Sequence, residues 1–123
     1  MRYAKIMMIS LMAFCMVSAV AFAKHHTPED RGKILFNDAK FAGGSKACNS
    51  CHADGKGLEN AADKKEFKVA GKTQKSLEEA VNACIVNANK GKAIDAKSDQ
   101  MKEMVAYIKS LKKGKATKPA AGY

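Results

Sequence analysis

The stretch KACNSCHADG, running from Lys46 to Gly55, constrains this chain more than any other part of it. It places Cys48 and Cys51 with two residues between them and sets His52 directly after. Cysteines this close do not form the usual loop-closing disulfide, and the run has three chemical uses. It can supply ligands to a structural zinc ion, exchange electrons as a dithiol, or carry a covalently attached haem. The rest of the chain has to choose among them.

The start of the chain bears on the compartment. Arg2 and Lys5 precede an apolar run from Ile6 to Phe22, and Ala21-Phe22-Ala23 has the small-x-small form of a cleavage site. Residues 1–23 are expected to be a signal peptide, cut after Ala23, which gives an exported, periplasmic protein. The run is nearly long enough to span a bilayer, but the polar KHHTPED that follows favours cleavage over a retained anchor. No stable membrane insertion is expected after cleavage. Cys15 follows bulky Phe14, where a lipidation signal needs a small residue, so it leaves with the signal.

Residues 24–113 then form one small domain, with 114–123 as a flexible tail. Losing Arg2 and Lys5 takes the formal charge from +10 to +8. The remaining cysteines are Cys48, Cys51 and Cys84. An oxidising compartment normally pairs cysteines, and an odd number with two of them only three positions apart is no disulfide framework.

The pattern predicts helices. Thr27 as N-cap, Pro28 at the first helical position and acids in the first turn open one, with Ile34, Leu35 and Phe36 as its apolar side. A glycine-punctuated loop holds the cysteines, with a single turn of helix around them. Residues 60–73 are Lys-rich and aperiodic and read as a surface loop. A capping box, Ser76 to Glu79, starts a second helix with Leu77, Ala80, Val81, Cys84 and Ile85 on one face, ended by Gly91. A third opens near Ser98 and runs to Lys112, with Met101, Met104, Val105, Ile108 and Leu111 as its stripe. No strand is expected, and the domain reads as all-α.

Gly32 and Phe36 on the first helix, Cys48-x-x-Cys51-His52, and Tyr107 within MVAYIKSL together resemble the class I c-type cytochromes. The resemblance covers the whole of residues 24–113. It implies crossed N- and C-terminal helices around one covalently bound haem c, with Gly32 allowing close approach and Phe36 packing on Tyr107. Cys48 and Cys51 would then form the thioethers and His52 the proximal iron ligand. The composition agrees: a chain this short, with no Trp and five Phe, buries little apolar area without a cofactor. The competing uses are weaker. A dithiol of thioredoxin type needs a strand before the motif, and a zinc site would have to gather Cys48, Cys51, His52 and Cys84.

The distal side departs from that family. The segment that should bring a methionine, NKGKAID (89–95), has none. Met101 and Met104 are thioether alternatives that also serve as core residues. Cys84 is the odd cysteine, and the segment from Asn82 to Leu111 resembles haem domains of thiosulfate dehydrogenase and of Sox sulfur-oxidising cytochromes. That resemblance implies a distal cysteine at Cys84, followed by Gly91-Lys92 and Ser98/Met101; otherwise Cys84 is a buried free thiol. Asn87, Asn89, Lys90 and Lys92 rank below these, and His25 and His26 are expected to be solvated.

The expected function is single-electron transfer between redox proteins, not catalysis. Two alternatives remain: a haem enzyme or subunit of sulfur-compound oxidation, and a small-gas-binding haem protein. The lysines suit acidic docking partners, or form a cationic surface with no particular face. Nucleic acid is an unsuitable partner, since no basic helix or aromatic platform is present.

Overall fold

The computed structural model describes residues 26–112. The expected signal peptide (1–23), His25 and the tail (114–123) lie outside the described residues. Three helices, α1 (Pro28–Asn37), α2 (Leu77–Asn87) and α3 (Asp99–Ser110), are joined by short turns and by one β-hairpin, β1 (Phe67–Val69) with β2 (Lys72–Gln74).

Each helix starts where its cap residue dictates. The Thr27 side chain accepts from the Asp30 amide, and the Asp30 carboxylate accepts from the Thr27 amide, closing a capping box. Ser98 caps α3 by accepting from the Met101 amide. Ser76 caps α2 through the Glu79 amide, but the Glu79 carboxylate accepts from the Lys75 amide at 2.8 Å rather than closing the expected box. At the far end of α2 the left-handed residue is Lys90 (φ 61°), not Gly91. Gly91 is there for space: a Cβ would lie 2.9 Å from the Ala42 carbonyl oxygen and 3.1 Å from Ile85 Cγ2.

The core lies between α1 and α3. A Cβ on Gly32 would run into the Glu103 carbonyl group and lie 2.8 Å from Tyr107 Cβ, so only glycine lets the two helices approach this closely. One turn later Phe36 meets Tyr107 edge-on, with ring centroids 5.1 Å apart and planes at 61°. An Arg31–Glu103 ion pair crosses the same seam. Phe36, Met101, Met104, Val105 and Ile108 are buried here, and Val81 and Ile85 of α2 join them. Ile34, expected on the apolar side of α1, is instead exposed.

The hairpin corrects the all-α expectation. Phe67 pairs with Gln74, Lys68 with Thr73 and Val69 with Lys72, where a surface loop was expected. Ala70 (φ 50°) and Gly71 (φ 76°) both take the left-handed conformation that a two-residue hairpin turn demands. Strands of three residues are too short to show an alternating pattern. The turn also has Ala where Asn or Asp usually announces it.

Candidate haem site

The motif loop is built from successive tight turns. Cys48–Ser50 form the expected single turn, and the amides of Cys51 and His52 both donate to the Cys48 carbonyl, at 3.2 and 3.0 Å. The chain then reverses through two left-handed residues, Asp54 (φ 51°) and Gly55 (φ 79°). The Asp54 amide is held by Asn49 Oδ1 at 2.8 Å. This reversal brings the Lys56 carbonyl to 3.1 Å from His52 Nδ1. A carbonyl only accepts, so Nδ1 carries the proton and Nε2 keeps its lone pair for a metal.

A second clamp acts on Cys48. Asn89, 6% exposed, donates from Nδ2 to Cys48 Sγ at 3.3 Å. Its own carbonyl accepts from the Ser45 amide at 2.8 Å, and the Lys92 amide donates to the Ala42 carbonyl at 2.9 Å. The segment after α2 is thereby laced to the loop before the motif. Further on, Asn82 holds Ile94 through both its amide donor (2.8 Å) and its carbonyl oxygen (2.9 Å). Residues 89–95 are therefore fastened along α2 and the loop.

Beside the motif lies a cavity of about 370 Å³, within the roughly 300–1,000 Å³ typical of cofactor sites. Cys48 and His52 line it, with Phe36, Leu58 and Ala61 on one part of its wall. Helix α2 contributes Leu77, Ala80, Val81 and Cys84, and α3 contributes Met104 and Ile108. The hairpin closes it with Phe67, Val69 and Ala70, while Lys64 and Lys68 are the cationic side chains on its lining. Cys51 is exposed, as a residue tethering an edge of a cofactor would be.

The expected site residues separate on this geometry. Cys84 and Met104 share the cavity with Cys48 and His52. Met101 does not; it faces a shallow groove between α3, Glu78 and Ala96. Asn87, Asn89, Lys90 and Lys92 are also absent from the cavity lining. His26 is exposed, and its carbonyl accepts from the Arg31 guanidinium. Among the described residues no three His, Cys, Asp or Glu side chains converge on a metal-binding point, so the four-ligand zinc alternative is not assembled. Burial pushes the Cys84 thiol up, with the nearby Cys48 and Cys51 thiols adding to the effect. Burial likewise raises Cys48, opposed by the Asn89 hydrogen bond.

Two contributors were not read from the sequence. Asn89 was ranked as a remote ligand, yet it orients Cys48; a polar residue following a helix carries no signal of such a partner. The other is the hairpin wall of Phe67, Val69 and Ala70, whose Ala70-Gly71 turn lacks the Asn or Asp that usually marks one.

The residues fit a haem: an apolar slot, a histidine with a free Nε2, and a half-buried cysteine beside it. The family described as SoxA/TsdA, cytochrome c domain, matches residues 31–116. No curated protein and no solved structure matches the chain. The family match covers the motif, the cavity walls and all of α3. The chain belongs to this family, its cofactor is covalently bound haem c with its iron, and its chemistry is haem-based electron transfer.

Proposed function

We propose that this member of the SoxA/TsdA cytochrome c domain family is an exported monohaem electron carrier with His52 and Cys84 on either side of the iron. Cys48 and Cys51 hold the haem as thioethers, and His52 binds through Nε2. The observation that carries the distal assignment is the presence of Cys84, with Cys48 and His52, on the lining of one cavity. Met101 lies outside that cavity; Met104 shares its lining but is fully buried, whereas Cys84 is half-buried.

Haem c supplies a one-electron iron couple. Every other part of the task falls to the chain. The Lys56 carbonyl fixes the His52 tautomer and ring orientation. Asn89 holds the Cys48 sulfur. Phe36, Leu58, Val81 and Phe67 exclude water from the slot. Burial pushes the Cys84 thiol up in the cofactor-free chain, and the charge of a metal bound beside it would favour the thiolate. A thiolate stabilises the ferric state and lowers the potential. Partners are other redox proteins bearing acidic patches, and the location is the periplasm. No described helix is long and apolar enough to cross a membrane.

A second reading is favoured by the family itself: a haem enzyme or subunit in sulfur-compound oxidation. Oxidative coupling of two sulfur anions releases two electrons, whereas a single C-x-x-C-H motif holds one haem. The carrier reading therefore comes first. The test is to mature the protein with haem-attachment machinery, count haem per chain after acid–acetone extraction, and assay thiosulfate with ferricyanide as acceptor. One retained haem, a reversible one-electron wave and no thiosulfate-dependent turnover are expected. Turnover at enzymatic rates would replace the carrier reading with the second.

A further inference from the structure

The cationic excess of the described residues has a definite place in the fold. Among the described residues, 26–112, sixteen Lys and Arg stand against twelve Asp and Glu. Residues 64–75, which hold the hairpin, carry Lys64, Lys65, Lys68, Lys72 and Lys75 against Glu66 alone. The rest of the described domain has eleven basic and eleven acidic residues, so the whole excess sits on this one element. All five lysines are exposed. Three ion pairs occur among the described residues, Arg31–Glu103, Lys102–Asp99 and Lys112–Asp63, and none uses a hairpin lysine. Of the acids close by in sequence, Asp63 pairs with Lys112 and Glu79 accepts from the Lys75 amide.

The hairpin is also a wall of the haem cavity. Phe67, Val69 and Ala70 line it, and Lys64 and Lys68 line it too. One thin two-stranded layer therefore carries Lys64 and Lys68 on the cavity lining and Lys65, Lys72 and Lys75, exposed, away from it. We propose that this hairpin, Lys64–Lys75, is the docking face for an acidic electron-transfer protein, and that the electron passes through the hairpin side of the cavity. The proposal rests on the carrier reading and deepens it. Exposed lysines on this turn steer an anionic surface to one wall of the cofactor cavity. A membrane is the poorer fit, because the exposed large apolar residues, Ile34 and Val86, lie on α1 and α2 and not on the hairpin.

The test uses holoprotein on gold coated with a carboxylate-terminated alkanethiol monolayer, a defined acidic surface. Two variants of equal charge are compared, Lys65→Gln/Lys72→Gln/Lys75→Gln and Lys33→Gln/Lys40→Gln/Lys97→Gln. At low salt the hairpin variant should lose about tenfold in electron-transfer rate, at the lower end of electrostatic steering effects. The remote variant should lose less than about twofold, and the difference should vanish at roughly 1 M salt, where the Debye length is about 3 Å. Equal losses in the two variants would overturn the docking face and leave the carrier reading intact. No reversible wave from the unaltered protein on any electrode would overturn both. Hairpin-dependent binding to phosphatidylglycerol vesicles, without an effect on the electrode rate, would assign the face to a membrane and overturn the proposal.

Discussion

Replacing Gly32 by alanine sets two physical effects of opposite sign against each other. Alanine is the better helix former, favoured over glycine in a helix interior by about 1 kcal/mol. At Gly32, however, the new methyl is driven into the Glu103 carbonyl group and against Tyr107 Cβ. The obstacle is backbone, so no side-chain rotation relieves it, and α1 has to back away from α3. Overpacking costs about 1–3 kcal/mol, and a rigid obstacle places this case near 3. Separation also loosens the Phe36–Tyr107 contact, and such pairs are worth about 0.5–1.5 kcal/mol. The net loss is therefore about 3 kcal/mol once the propensity gain is subtracted. In a domain of this size that lowers Tm by about 12–24 °C. Thermal unfolding of haem-loaded Gly32→Ala and parent protein, followed by far-ultraviolet circular dichroism, measures it. A variant as stable as the parent, or more so, would refute the close approach.

Cys84→Ala should change the haem absorption spectrum in both oxidation states, whereas Met101→Leu, outside the cavity, should leave it unchanged; the reverse pattern would return Cys84 to the wall. Asn89→Ala should cost about 0.5–1.5 kcal/mol, the worth of one hydrogen bond, in urea unfolding of the holoprotein, with no loss of covalent haem. The Asp30 carboxyl is held below its ordinary value of 3.8, chiefly by the Thr27 amide and then by its hydroxyl. Its contribution is complete above the unfolded value and is lost as pH falls through the lower folded one. The stability of Asp30→Asn should accordingly differ most from the parent near neutral pH and converge with it in acid.

Legibility followed the range of the interaction. The caps at Thr27, Ser76 and Ser98 and the stripe on α3 are local patterns, and the structure places them as expected. Gly32, Phe36 and Tyr107 were legible through family likeness, because their meeting depends on a contact between distant segments. The hairpin was missed since its strands are too short for a period of two to register. Asn89 was missed because its partner, Cys48, lies forty-one residues away. The same limit held at the site: Met101 and Met104 share one helical stripe, and only the packing of α3 puts Met104 on the cavity and Met101 on the other side.

The ligand opposite His52 sets the potential of the iron. Near-infrared magnetic circular dichroism of the ferric holoprotein separates thiolate, thioether and amine ligation directly. It should give the histidine–thiolate signature, and that signature should disappear in Cys84→Ala. A histidine–methionine signature, retained in Cys84→Ala and lost in Met104→Leu, would contradict the assignment.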